Sequence, residues 1–286
     1  MDLPSSRALS RLLHSQQFVR FGIAIDTAAE WRWLALLAVA LWPTWWWMSQ
    51  RMVDGSDDPL GMLALAALGA LLWQHRLRLR AAPRLGFQAV ALAGAVLTTA
   101  LHAQLPDLLV ALVGLLSLAA GLLAFLPAQV ATVPVLGLSV LSLPLLASLQ
   151  FYAGFPLRVV TAEASSWLLS AAYTVERGGS SLVVDGQLII VDAPCSGVQM
   201  AWLGYFTACT VALAVGRNNR SFLLRLPIVS LLVLVGNVLR NTVLVSFQAS
   251  GSPLPGWGHE AVGLVVLALV CAGIAWAMAI KPRTLS

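Results

Sequence analysis

Residues 192–215, DAPCSGVQMAWLGYFTACTVALAV, decide the fold of this chain. A short polar turn opens the stretch, and an apolar run without a charged side chain follows it to Val215. An apolar run of about 20 residues crosses the hydrocarbon core of a bilayer as a helix, because its backbone polar groups must pair internally there. The stretch therefore predicts a membrane-spanning helix with a cysteine, Cys195, at its boundary.

The rest of the chain repeats this apolar pattern. Of its 286 residues, 59% are hydrophobic and 10% are charged, which is too apolar for a soluble protein of this length. We therefore predict an all-α polytopic membrane protein with about eight transmembrane helices, built as a single membrane domain over 1–286. The predicted spans are residues 33–48, 60–73, 85–101, 108–126, 130–149, 196–215, 223–247 and 261–280.

The distribution of arginine and lysine predicts the orientation of these spans. Cytoplasmic loops retain these residues, and eight crossings place both chain ends on the same side. That side would hold Arg7, Arg11, Arg20, Arg32, Arg76, Arg78, Arg80, Arg84, Arg217, Arg220, Arg225, Lys281 and Arg283, whereas the opposite side would hold Arg51, Arg158 and Arg177. We expect a multi-pass protein of the cytoplasmic (inner) membrane with both termini cytoplasmic, including a basic N-terminal segment, 1–31.

This asymmetry also explains the net charge of +5. A nucleic-acid-binding protein would need a clustered basic domain, and the sequence contains none. Nucleic acid is therefore not an expected partner.

One long loop, residues 150–194, is predicted on the outer side as a small cap. Residues 156–176 mix apolar and charged side chains, which predicts an interfacial helix stopped by Gly178-Gly179. Residues 181–184 and 187–191 flank Asp185-Gly186, a pair suited to a type I′ β-hairpin turn. The hairpin is either a passive connector or one wall of a groove whose edge strand pairs with a bound peptide.

Cys195 has the surroundings of a reactive thiol. Pro194 suits the first position of a helix, with Asp192 or Ala193 as its cap, so Cys195 is expected in the first helical turn. The positive end of a helix favours the thiolate, which is the nucleophilic form. Gly197 leaves room for the backbone of a bound molecule.

The other two cysteines have no such features. Cys209 and Cys271 lie within apolar runs without evident polar neighbours and are interpreted as small apolar fillers. A disulfide at Cys195 would need a second outer cysteine, and the sequence offers none.

Arg240 is an arginine within a predicted span, which costs on the order of 3 kcal/mol and usually marks a cavity and a function. It lies about seven residues, or roughly 10 Å, below the outer end of its helix. Asn237 and Asn241 lie beside it and are expected to orient the guanidinium. The alternative is that Arg240 extends to the outer interface and has no chemical role.

His259 stands at the outer start of the last predicted helix, just before Glu260. With Cys195 and Arg240 it forms a candidate Cys/His/Arg catalytic set, and either Asp192 or Glu260 is a possible partner for it. The remaining histidines are expected on the cytoplasmic side or far along the chain: His14, His75 and His102. Their number and spacing predict no zinc site, and no cofactor motif is present.

Three motifs in this order resemble the exosortase/archaeosortase family of membrane transpeptidases: Pro194-Cys195-Ser196-Gly197, Asn237-x-x-Arg240-Asn241 and His259-x-x-x-Gly263. With a histidine in its third motif, the chain resembles the bacterial exosortase branch of this family. The resemblance implies a cysteine protease or transpeptidase without cofactor or metal. Cys195 would be the nucleophile that forms an acyl thioester, His259 the general acid/base and Arg240 the stabiliser of the oxyanion or carbonyl, with Asn237, Asn241, Ser196, Gly197 and Asp192 in support.

The resemblance also implies the partners. Exported proteins would carry a C-terminal sorting signal made of a Pro-Glu-Pro-like motif, a hydrophobic helix and a basic tail. Cleavage on the outer face would be followed by transfer to an acceptor, such as a membrane lipid or a molecule related to surface polysaccharide. Two alternatives stay open: a transporter or scaffold in which Arg240 binds an anion or pairs helices, and an intramembrane protease with water as acceptor.

Overall fold

The computed structural model describes residues 30–55, 57–191, 196–251 and 254–280. Most of the predicted N-terminal segment 1–31 lies outside these residues, as do Asp192, Ala193, Pro194 and Cys195. The described helices are α1 (Glu30–Ala40), α2 (Trp42–Val53), α3 (Gly61–His75), α4 (Leu85–Leu101), α5 (Asp107–Phe125), α6 (Thr132–Leu141), α7 (Leu146–Leu169), α8 (Val198–Ala214), α9 (Asn219–Leu223), α10 (Leu226–Ala249) and α11 (Gly256–Ala279).

Proline explains two of the helix starts. Pro43 lies in the first turn of α2 and Pro227 in the first turn of α10. Proline is favoured there because its missing N–H would have no helical partner in any case. The first predicted span is consequently divided into α1 and α2 at Leu41.

Helix length and composition support fewer crossings than the sequence predicts. Within the described residues, Asp107–Phe125, Asn219–Ala249 and Gly256–Ala279 are long and apolar enough to cross a membrane. A fourth span is added if α6 and α7, which meet at a bend of 95°, count as one broken span. A helical membrane protein is therefore confirmed, but eight crossings are not, although every predicted span contains a helix.

The helix predicted over 156–176 is different in the structure. It begins at Leu146 and ends at Leu169, with Pro156 inside it. Asp57 stabilises the early start, because its Oδ1 atom accepts hydrogen bonds from the backbone N–H groups of Leu146 (3.1 Å) and Ala147 (3.3 Å). Carboxylates stabilise helix N-termini in this way.

The predicted hairpin is confirmed and extended to three strands. Strands β1 (Val175–Gly178), β2 (Ser181–Val184) and β3 (Gln187–Ile190) form an antiparallel sheet in the order β1-β2-β3. Asp185 and Gly186 have φ values of 49° and 84°, the positive angles that a type I′ turn requires. Strand β1 replaces the predicted end of the interfacial helix, so Gly178-Gly179 ends a strand and not a helix.

The sheet packs on the helical bundle through one face. Leu182, Val184 and Ile189 are buried in a cluster with Ala162 of α7 and Leu244 of α10. On the β1 side, Arg177 forms a salt bridge with Glu163 of α7. These contacts fix the strand that precedes Cys195 against the two helices described below as parts of the candidate site.

Helix α8 lies in the middle of the bundle and packs against α6, α7, α10 and α11. Its Trp202 is buried, and the indole Nε1–H donates a hydrogen bond of 3.2 Å to the Leu141 carbonyl at the end of α6. This hydrogen bond satisfies the polar atom of a large buried side chain, as buried tryptophans require.

Arginines cap helix C-termini at one end of the bundle. Arg84 Nε donates to the Leu123 carbonyl of α5 (3.0 Å), and Arg217 Nε donates to the Met278 carbonyl of α11 (2.6 Å). Arg225 Nη2 donates to the Ile280 carbonyl (2.9 Å). Cations at these positions satisfy free carbonyls and oppose the negative end of the helix dipole.

Candidate functional site

The described part of the cysteine turn consists of Ser196 and Gly197. Gly197 has a φ of 85° and is the N-cap of α8, which begins at Val198. Helix α8 therefore begins later than predicted, and Cys195 with its predicted caps, Asp192 and Ala193, lies outside the described residues. The positive φ excludes Gly197 itself from the α-helix, because an α-helix needs negative φ values.

Gln150 of α7 holds the turn from one side. The Ser196 hydroxyl donates a hydrogen bond of 2.8 Å to Gln150 Oε1, and the same hydroxyl oxygen accepts the Val198 N–H at 3.3 Å. Gly154 makes room for the amide, since a Cβ atom there would lie 2.9 Å from Gln150 Nε2. Sequence reasoning missed Gln150 because it was interpreted as the boundary of a loop.

Asn237 of α10 touches the turn from the other side. A Cβ atom at Gly197 would lie 2.8 Å from both Cγ and Nδ2 of Asn237. Both residues are buried. Glycine is required here twice, for its positive φ and for the close approach of the Asn237 amide.

A buried polar ladder joins α10 to α7. Asn237 Nδ2 donates to Thr161 Oγ1 and Asn241 Nδ2 donates to Ser165 Oγ, each at 3.0 Å. Each of the four side chains lies in the buried interior. Hydrogen bonds between buried polar groups fix helix pairs, because breaking one leaves an unsatisfied partner. The ladder fixes α10, the helix that carries Arg240.

Arg240 is half-buried and lines a cavity of about 400 Å³ between α8, α10 and α11. Gly263 of α11 gives the guanidinium its space, since a Cβ atom there would lie 3.2 Å from Arg240 Nε. The lining residues are Gly197, Gln199, Met200, Leu203, Arg240, Glu260, Gly263, Leu264 and Leu267. The cavity thus joins the end of the cysteine turn to the arginine motif and to α11.

His259 is exposed in the first turn of α11. It lies one helical turn, roughly 6 Å along the axis, before Gly263. Among the described residues that line the cavity, Glu260 is present and His259 is not. Segments from all three motifs therefore meet at this cavity, with the imidazole outside the described lining.

Of the two cysteines within the helices, Cys209 lies in the apolar core as predicted, and Cys271 departs from the prediction in one contact. Cys209 is buried and Cys271 is half-buried, and both are free thiols. Cys271 has a polar neighbour after all, since Thr207 Oγ1 lies 3.5 Å from its Sγ atom. Over the described part of the chain, no cluster of three or more His, Cys, Asp or Glu side chains is arranged to hold a metal ion.

Comparison with known families decides the classification. The family model described as "transmembrane exosortase" matches residues 45–276. The chain is a member of the transmembrane exosortase family. No curated protein matches the chain, and no solved structure matches it.

The exosortase match covers all the helices from α3 to α10, the three-stranded sheet and most of α11. It includes Cys195, Arg240 and His259. In this exosortase, the cavity combines a cation from α10, a carboxylate from α11 and apolar walls from α8 and α11. A guanidinium in a partly enclosed site can bind a carbonyl oxygen and stabilise negative charge that develops on it.

Proposed function

We propose that this exosortase is a membrane-embedded cysteine transpeptidase that cleaves the C-terminal sorting signals of exported proteins. The observation that carries the proposal is the cavity at which Gly197, Arg240 and Gly263 meet. Gly197 lies two residues after Cys195, and Gly263 lies one turn after His259. The proposed nucleophile, cation and base thus stand on segments that converge.

The chemistry would begin with the Cys195 thiolate. It attacks the scissile carbonyl carbon, and Arg240 stabilises the resulting oxyanion. His259 gives a proton to the leaving amine as the peptide C–N bond breaks, which leaves an acyl thioester on Cys195. The acceptor then attacks the thioester, and its proton returns to His259 as the thiolate leaves.

Supporting residues would keep these groups in register. Asn237 and Asn241 fix α10, while Ser196 and Gly197 shape the turn beside the nucleophile. Glu260 lines the cavity and would be one partner for His259, with Asp192 as the alternative. Substrates would be exported proteins with a Pro-Glu-Pro-like motif, a hydrophobic helix and a basic tail.

We further propose eight crossings of the cytoplasmic membrane, with both termini cytoplasmic and the site facing outward. The divided pairs α1–α2 and α6–α7 and the shorter helices α3, α4 and α8 would then also cross the membrane, each supported by packing against neighbouring helices. The arginine caps support this orientation, because Arg84, Arg217 and Arg225 all bond to carbonyls at helix C-termini. The Val133 N–H donates to Asn219 Oδ1 (2.9 Å), which joins the segment after α5 to the segment after Arg217 at the same end of the bundle. Arginine-rich ends are retained in the cytoplasm.

Co-expression with a tagged substrate tests the proposal. The tagged protein ends in the three-part signal, and gel mobility reports its cleavage. Wild type should cleave it and Cys195→Ala should not. Equal mobility of the substrate with both enzymes would contradict the proposal, as would a transporter-like pattern in which Cys195→Ser is tolerated and only Arg240 variants are defective.

The identity of the product separates a transpeptidase from a protease that uses water. Mass spectrometry of the processed C-terminus should reveal an added acceptor mass, which we propose to be a membrane lipid or a molecule related to surface polysaccharide. A free carboxylate on all of the product would contradict transfer and leave hydrolysis.

A further inference from the structure

Among the described residues, β3 is the last strand of the sheet, and its outer edge has a defined set of hydrogen-bonding groups. In the β2–β3 ladder, Leu182 pairs with Ile189, and the Val191 N–H continues the ladder to the Ser180 carbonyl at 3.0 Å. Residues between these bonded pairs direct their N–H and C=O groups away from the partner strand. The backbone groups of Leu188 and Ile190 therefore point to the open edge of the sheet.

The two edges of the sheet are protected differently. Strand β1 has the sequence VERG, and its Arg177 is paired with Glu163. Strand β3 has the sequence QLII, without charge or proline, and its Leu188 and Ile190 side chains are 60% and 56% exposed. Charged residues commonly blunt edge strands against pairing with another chain, so β3 is the less protected of the two edges in the described part of the chain.

The position of β3 in the chain connects this edge to the candidate nucleophile. The strand ends at Ile190, and only residues 191–194 separate it from Cys195. At about 3.3 Å per residue, a peptide paired with β3 would need few additional residues to reach the cysteine turn. Gly197, two residues after Cys195, lines the same cavity as Arg240.

We propose that the β3 edge binds the extended peptide of the exported substrate beside its scissile bond, as a fourth strand of the sheet. This inference rests on the proposed function and names the surface that presents the substrate to Cys195. An extended peptide has the complement that the Leu188 and Ile190 backbone groups need, since strand addition uses main-chain hydrogen bonds. The same mode tolerates varied side chains and therefore suits a set of different exported proteins.

Proline substitutions on the full-length enzyme test the edge. Leu188→Pro removes an outward N–H and keeps the bonded pairs of the β2–β3 ladder. Edge strands accept proline at such positions, where the N–H faces away from the sheet. Leu188→Thr changes the side chain and keeps the N–H. Val175→Pro removes an outward N–H from the opposite edge, because Val175 lies between the bonded positions of the β1–β2 ladder.

We expect cleavage of the tagged substrate to fall about tenfold or more in Leu188→Pro, because a substrate carbonyl loses its donor. Val175→Pro should stay within a few-fold of wild type, and Leu188→Thr should retain clearly more cleavage than Leu188→Pro because it keeps the N–H. Equal losses in Leu188→Pro and Leu188→Thr would overturn the proposal and assign the strand to side-chain contact with lipid. Thermal unfolding of each variant in detergent separates these results from loss of the fold.

Disulfide crosslinking supplies a readout that does not depend on cleavage. Leu188→Cys is combined with Cys195→Ala and with single cysteines placed along the substrate signal. Crosslinks at alternate substrate positions, the period of a β-strand, would support the proposal. Crosslinks between two enzyme chains, or none to the substrate, would overturn it even where wild-type cleavage upholds the proposed function. Absence of cleavage by wild type would instead overturn the proposed function.

Discussion

Gly263 and Arg240 are packed so closely that a Cβ atom at Gly263 would lie 3.2 Å from the Arg240 Nε atom and 3.5 Å from its Nη2 atom. This contact joins the third motif of the chain to the second. It defines how near α11 comes to the guanidinium, and it makes the position of that group sensitive to a single methyl group.

Gly263→Ala should displace the guanidinium of Arg240 by a few tenths of an ångström or more. We expect substrate cleavage to fall about tenfold, since small displacements of a group that stabilises charge are costly. Gly273→Ala on the same helix is the matched control, because its Cβ atom would make an ordinary contact of 3.6 Å with Leu232. Equal activity of the two variants in the gel-mobility assay would contradict a role for the Arg240 position.

Gln150 should control the reactivity of Cys195 through Ser196. Gln150→Ala removes the acceptor of the Ser196 hydroxyl, whereas Gln150→Glu keeps an acceptor and adds a negative charge that disfavours a nearby thiolate. In a Cys209→Ala, Cys271→Ala background, we expect the pH profile of Cys195 alkylation to move to higher pH in Gln150→Glu. An unchanged profile in both variants would show that Gln150 does not position the cysteine turn.

Gly197→Ala tests the close approach of the cysteine turn to Asn237. The change introduces strain at a φ of 85° and a Cβ atom 2.8 Å from the Asn237 amide. Gly216→Ala introduces comparable strain at a φ of 68° with no atom within 4 Å. Strain alone costs about 1 kcal/mol of unfolding free energy. We expect Gly197→Ala to lower the unfolding temperature clearly more than Gly216→Ala, and similar values would contradict the packing.

Asp57 should stabilise the start of α7. Asp57→Ala removes the acceptor for the Leu146 and Ala147 N–H groups and should cost about 1 kcal/mol of unfolding free energy. Asp57→Asn keeps an acceptor and should cost less. A thermal unfolding series in detergent compares the two variants with wild type, and equal stability of Asp57→Ala and wild type would exclude the capping role.

The same carboxylate predicts a pH dependence. Burial raises the pKa of Asp57 above its usual 3.8, although backbone hydrogen bonds and Arg51 oppose that effect. A raised folded-state pKa contributes stability that is complete below about 3.8 and is lost as the pH rises through the raised value. As the pH rises from about 3.8 to the raised pKa of Asp57, wild type should therefore lose stability relative to Asp57→Asn. Above the raised pKa, the difference in stability between the two proteins should stay constant. A relative gain with rising pH would contradict the assignment.

Local chemistry made part of this structure predictable from sequence. The Asp185-Gly186 turn specified the hairpin because both positions need positive φ, and apolar runs specified the helices. The three motifs identified the segments that meet at the Arg240 cavity. Gly197 and Gly263 are informative members of these motifs, since each permits a close approach, to Asn237 and to Arg240 respectively.

The features that the sequence did not predict depend on contacts between distant residues. Asp57 caps α7 across 89 positions of sequence, so the early start of that helix has no local signature. The hydrogen bond from Ser196 to Gln150 spans 46 positions. Strand β1 was missed because VERG has the polarity of a helix end, and only its pairing with β2 makes it a strand.

Hydroxylamine trapping tests most directly the claim that Cys195 forms an acyl thioester. Membranes that contain the enzyme are incubated with the tagged substrate and hydroxylamine, which attacks thioesters in place of the natural acceptor. We predict a product with a C-terminal hydroxamate, detected by mass spectrometry, from wild type and none from Cys195→Ala. Cleavage by wild type that yields only a carboxylate at saturating hydroxylamine, or equal hydroxamate from Cys195→Ala, would contradict the central claim.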